Sequence, residues 1–206
     1  MEKLAVSLAN KISSSLGYDN EKEAVVAYGL IALIQVSATI LLILVLGILL
    51  GVTGEALTIC FAVAILRKYS GGVHAKTAEL CTVVSVVYCV AMAIVAKKLL
   101  AGIYSSSLML AAIILIFGIS FWIAYRRVPV DSPNKPIKTE KKIRRMRTGS
   151  FVILTAYLII SVLLYVFASR HGGLKAYGIC LLFGLSWQVF TLTKSGAILL
   201  KILGLI

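Results

Sequence analysis

Residues 27–50 form a nearly uninterrupted apolar run of a length that a soluble domain has no use for. About 20 apolar residues cross a hydrocarbon core roughly 30 Å thick. Further runs at 78–96, 103–125, 151–168 and 174–192 have the same character. A chain that is 60% hydrophobic, with a mean hydropathy of +1.01, lies far outside the soluble globular range. In lipid every backbone N–H and C=O must be satisfied within its own segment, which leaves helices for runs of this kind. The sequence therefore predicts an all-α polytopic membrane protein forming a single integral domain over 1–206, with about six transmembrane helices.

Residues 1–22 have a different pattern. Leu4, Leu8, Ile12 and Leu16 recur every four positions, with Lys3, Asn10, Lys11 and Ser14 on other faces. That periodicity predicts an amphipathic helix lying in the interface. The run 55–66 is short, about 18 Å as a helix, and crosses only if it is tilted or extends toward Arg67. The tail 194–206 reads as a second interfacial segment.

A formal charge of +13 raises nucleic-acid binding, but the basic residues sit in short segments between apolar runs, where they set membrane orientation. Residues 126–148 form the one long hydrophilic connection, with all three prolines and nine Lys or Arg. Placing it in the cytoplasm puts 17 of the 21 Lys and Arg residues on that side when six helices cross. Both termini are then cytoplasmic. No cleavable signal peptide is evident. Cys60, Cys89 and Cys180 lie within apolar runs and read as small buried hydrophobes rather than as a disulfide framework.

Between the runs ending at 66 and starting at 78 lies a polar break, Arg67 to Cys81, within the four-span region 27–125. It places His74 and Cys81 seven residues apart. A thiolate is a strong nucleophile, and an adjacent imidazole or a helix N-terminus favours it. Thr77 is a plausible N-cap, with Glu79 in the first turn and Cys81 close behind. In one continuous helix His74 and Cys81 would be about 10.5 Å apart along the axis, beyond hydrogen-bond reach. The chain must fold back between them, and Gly71-Gly72 allows that. Arg67 could hold a substrate carboxylate or an oxyanion. Candidates for a group orienting His74 are Glu79, Asp131, Asn134 and Gln35. His171 falls on the opposite side by the charge count and has weaker company in the segment Ser169-Arg170-His171-Gly172-Gly173. Two ligands do not make a metal centre, so neither a metal nor a cofactor is expected.

The pattern Arg67-x4-Gly72-x-His74-x6-Cys81, followed by Val128-Pro-Val-Asp-Ser-Pro-Asn-Lys-Pro136 and a basic run, resembles the accessory gene regulator B (AgrB) family. The resemblance implies a bacterial cell-membrane cysteine endopeptidase that processes AgrD-type quorum-sensing precursors. It implies Cys81 as nucleophile, His74 as base, and Arg67 and Gly72 as supporting positions. It also implies a homodimer, with the precursor peptide and membrane lipid as partners. Cleavage would proceed through a thioester and end in a cyclic thiolactone or lactone. A small transporter or channel is the alternative class, although its polar residues would be sparse: Gln35 in the first span and Gln188 in the last. A scaffold for other membrane proteins is a third, and it would make positions 74 and 81 silent.

Overall fold

The computed structural model describes residues 2–73, 75–130, 139–168, 170–202 and 204. Among them every regular element is helical: α1 (Glu2–Leu16), α2 (Asn20–Leu50), α3 (Thr53–Ser70), α4 (Ala78–Ile94), α5 (Ser106–Arg127), α6 (Glu140–Ala168), α7 (Leu174–Thr191) and α8 (Lys194–Ile202). A π-helical turn, Val95–Leu100, continues α4. α2, α4 with its π turn, α5, α6 and α7 are long and apolar enough to cross a membrane. Together they make the chain an all-α polytopic membrane protein.

α1 folds back on α2 and buries only small residues, Ala5, Ala9 and Ser13. Leu4, Leu8, Ile12 and Leu16 all point outward, so the stripe seen in the sequence is the face α1 offers to its surroundings. α2 begins at an N-cap, Asp19, whose carboxylate accepts from Lys22 N at 2.9 Å. It ends at Gly51, where a φ of 68° turns the chain into α3.

The short run at 55–66 becomes an 18-residue helix because it extends through Arg67 to Ser70. At 1.5 Å per residue α3 is about 27 Å long. Its first turn is tied to the far end of α4, where Lys97 Nζ meets Glu55 Oε1 at 2.9 Å and the Gly51 carbonyl at 2.8 Å. Its last turn lies beside the start of α4, where Arg67 and Cys81 line one cavity. α3 therefore runs antiparallel to α4 over the same depth, although it is not among the five helices long and apolar enough to cross.

α3 and α7 form the centre of the bundle and make its most extensive helix contact. Gly184 explains how close they come: a Cβ there would lie 2.7 Å from Ala62 Cβ and 3.0 Å from the Ile59 carbonyl. Small residues at a membrane-helix interface let backbones approach and gain van der Waals contact. The apolar interior divides on either side of this pair. One part joins α3 and α7 to α5 and α6 through Leu66, Phe117, Leu154 and Leu185. The other joins α3 and α7 to α2 and α4 through Ile59, Ile43, Val90 and Cys180.

Several boundaries differ from the sequence reading. α6 starts at Glu140, inside the basic connection, so its first turns carry Lys141, Lys142, Arg144, Arg145 and Arg147 as helix. Arg147 is anchored across to α5, donating to the Tyr125 carbonyl at 2.6 Å and stacking over the Tyr125 ring. The segment read as a surface tail becomes α8, which turns back against α7 and buries Leu200. The middle of the connection, 131–138, lies outside the described residues, and with it Asp131 and Asn134.

Candidate catalytic site

α3 stops at Ser70 because the next two residues leave helical space. Gly71 has φ 71° and Gly72 φ 134°, a region that L side chains rarely adopt. Space excludes them as well. A Cβ on Gly71 would sit 2.0 Å from the Val130 carbonyl oxygen, and one on Gly72 would sit 2.9 Å from Thr191 Oγ1 and 3.3 Å from Gln188 Nε2. Residues 71–73 and 75–77 belong to no helix. The helix restarts at Ala78, with Thr77 as N-cap: φ is −129°, ψ is 157°, and Oγ1 accepts from Leu80 N at 3.2 Å. Cys81 N donates to the Thr77 carbonyl at 3.1 Å, which puts Cys81 on the opening turn of α4, at the positive end of its dipole. The predicted cap and chain reversal are thus both present.

Arg67, Val73, Ala75 and Cys81 line a single cavity with Val84, Ser85, Trp187, Thr191 and Leu200. Its volume is about 30 Å³, room for a water or two but not for a peptide. His74 itself lies outside the described residues, yet the residues on both sides of it face the cavity that holds Cys81. The Arg67 guanidinium donates to the Val73 carbonyl, directly before position 74. Its Nε is buried without a hydrogen-bond partner among the described residues. Arg67 thus clamps the loop and keeps a cationic edge beside the thiol.

The other walls come from helices far away in sequence. Trp187 and Thr191 of α7 lie one helical turn apart, and the Trp187 ring stacks on Tyr88 of α4 with centroids 4.2 Å apart. Gln188, fully buried between them, donates from Nε2 to Ser70 Oγ at 2.9 Å and to the Gly71 carbonyl at 2.7 Å. The Thr191 carbonyl accepts from Val73 N at 3.4 Å. On the opposite flank Val130 N donates to the Ser70 carbonyl at 2.9 Å, and Val130 forms a bridge with Gly71. The Arg67–Cys81 break and the start of the proline-rich connection therefore meet in space.

Of the residues considered for orienting His74, Glu79 is exposed on the first turn of α4, and Gln35 is half-buried in α2. Gln188, weighed in the sequence only as a transport residue, instead supports the loop. Trp187, Thr191 and Leu200 had no signal that tied them to the break; for Gln188 the signal was an amide inside an apolar span. The four cysteines are free thiols, with Cys89 and Cys180 buried and Cys60 half-buried. Among the described residues no group of His, Cys, Asp and Glu is arranged to hold a metal ion.

No solved structure matches the chain. The family model for accessory gene regulator B matches residues 5–192. The chain is 39% identical over 203 residues to "Putative AgrB-like protein 2" of Clostridium perfringens (strain 13 / Type A), covering 98% of this chain and 95% of that one. An AgrB-like relative from Clostridium perfringens (strain SM101 / Type A) is 37% identical over the same shares of both chains. A more distant AgrB-like protein of Halalkalibacterium halodurans is 24% identical over 165 residues, 80% of this chain and 78% of that one. With a family match over nearly its whole length, the chain belongs to the accessory gene regulator B (AgrB) family.

Proposed function

We propose that the protein is a membrane-embedded cysteine endopeptidase that cleaves an AgrD-like quorum-sensing precursor and promotes its cyclisation. Family membership ties the chain to the agr system and to such precursors. The finer reading is carried by one observation: Cys81, Arg67 and the residues flanking His74 converge on a single cavity at the end of the bundle.

In this mechanism His74 takes the proton from the Cys81 thiol as sulfur attacks the scissile carbonyl carbon. The negative charge that forms on oxygen is offset by the Arg67 guanidinium and by the positive end of the α4 dipole. The carbon–nitrogen bond then breaks. The departing amine takes the proton from His74, and the N-terminal part of the precursor remains on Cys81 as a thioester. An internal Cys or Ser of the same peptide gives its proton to His74 and attacks the thioester. This releases a cyclic thiolactone or lactone, and the proton returns to Cys81. The apolar walls Val84, Trp187 and Leu200 limit competing attack by water.

The distribution of basic residues supports a cytoplasmic site, where a precursor would be synthesised. A homodimer completes the proposal by analogy with the family. The transport alternative loses its main polar candidate, since both amide hydrogens of Gln188 are engaged by the loop.

The test is to incubate the purified protein in lipid vesicles with an AgrD-like precursor and read the product masses. The wild-type protein yields the C-terminal fragment and a ring lacking one water relative to the linear N-terminal product. Neither Cys81→Ala nor His74→Ala yields them. Undiminished cleavage by both variants rejects the assignment. Labelling from either side of the vesicle at Lys98→Cys and at Thr139→Cys tests orientation, with only the second reached from the cytoplasmic side.

A further inference from the structure

Gln188 is a fully buried amide in the most enclosed of the membrane-crossing helices. A polar group in such a place costs free energy unless it is hydrogen-bonded, and α7 needs no glutamine for its own ladder. Both donated bonds of the side chain leave α7 and end on Ser70 and Gly71, at the end of α3. Its Oε1 has no partner among the described residues, where the donated bonds hold the amide in place. They satisfy a carbonyl that a helix terminus leaves open.

Capping does not account for the rest of the arrangement. Gln188 Nε2 and Thr191 Oγ1 together close the space where Gly72 would carry a Cβ. Thr191 is itself fixed by donating to the Gln188 carbonyl at 2.7 Å, and its own carbonyl takes Val73 N. Three consecutive residues, Gly71, Gly72 and Val73, are thus shaped by one turn of α7, and position 74 comes next. We infer that Gln188 is a positioning residue: it moulds the Gly71–Val73 turn, which leads into position 74 at the rim of the cavity that holds Cys81. The inference rests on the endopeptidase reading for its catalytic meaning, but its structural content can be tested without a precursor.

The experiment uses the full chain in lipid vesicles and two readouts. The first is the rate of Cys81 alkylation by iodoacetamide at neutral pH, followed by the mass of the Cys81 peptide. Gln188→Leu slows it as His74→Ala does, and the double variant is no slower than His74→Ala alone, because the two changes remove one interaction. The second readout is precursor cleavage. There Gln188→Leu lowers kcat about 100-fold, the scale expected when a catalytic group is displaced by about 1 Å, and leaves KM unchanged. Ser70→Ala, which removes one of the two acceptors, has a smaller effect in the same direction. The inference is overturned if the Gln188→Leu and His74→Ala effects on alkylation multiply, if alkylation is unchanged, or if activity falls only in step with the folded fraction measured by thermal unfolding. If Cys81→Ala still cleaves the precursor, the peptidase reading fails, while the alkylation cycle still decides the role of Gln188.

Discussion

Glu55 and Lys97 pair at 2.9 Å at the end of α3 and α4 opposite the one where Arg67 and Cys81 share a cavity. Glu55 is only 4% exposed, whereas the Lys97 side chain is 44% exposed. Removing the lysine leaves a buried carboxylate without its cation, which costs about 3–5 kcal/mol for a fully buried pair. With Lys97 partly in solvent, Lys97→Met is expected to cost on the order of 2 kcal/mol. Lys97→Met combined with Glu55→Leu should recover most of that loss. Thermal unfolding in detergent checks both, and equal loss in the single and double variants would show that the pair does not hold the helices together.

Gly72→Ala should abolish precursor cleavage without unfolding the bundle. The substitution meets an unfavourable φ of 134° and two side-chain atoms of α7. The backbone term alone is about 1–3 kcal/mol, which a bundle of this size tolerates while the loop shifts. Thr191→Ala in the Gly72→Ala background removes the nearer contact and should restore only part of the activity, since the φ strain remains. Cleavage equal to wild type in Gly72→Ala would mean that the turn does not position the site.

Arg67→Lys keeps the charge but loses the planar fork with which guanidinium reaches two directions at once. A lysine can serve the Val73 carbonyl or face the cavity, but not both. Cleavage should fall about 100- to 1000-fold, the range seen when one oxyanion donor is removed, with folding intact. Arg67→Lys at full rate in a product-mass assay would exclude both roles.

Leu200 closes a cavity too small for a peptide, and it is carried by α8, whose main packing is against α7. Gly196 permits that packing, since a Cβ there would lie 2.1 Å from the Phe190 carbonyl oxygen. Burying leucine rather than alanine is worth about 2 kcal/mol or more, and every 1.4 kcal/mol removed from α8 docking raises its undocked population about tenfold. Leu200→Ala should therefore accelerate Cys81 labelling by a bulky maleimide much more than labelling by iodoacetamide. Equal acceleration of the two reagents would indicate that α8 does not control access.

The membrane class, the crossing helices and the cap at Thr77 were all legible from local features: run length, charge placement and the identity of one capping residue. The same holds for the end of α3 at Gly71-Gly72, because paired glycines tolerate backbone angles closed to other residues. α7 was not legible as a wall of the site. Trp187, Gln188 and Thr191 lie more than 100 residues from the break, and tertiary packing across that distance leaves no periodic trace. The packing of α8 on α7 was not legible for a related reason. The helix's composition suits a membrane surface, and only the close approach at Gly196 turns Leu200 inward.

The two helices that build the site, α3 and α7, each have 18 residues, about 27 Å of helix. α2 and α6 have 31 and 29. The central pair thus falls slightly short of a typical hydrocarbon core of about 30 Å, while its neighbours exceed it. That pair is the enclosed centre of the bundle, so the surplus length belongs to the helices around it, and α6 begins more than two turns before the point where its Gly149 meets Tyr69 at the end of α3. The end of α3 that borders the Cys81 cavity is therefore overtopped by a basic helix rather than flush with the edge of the bundle.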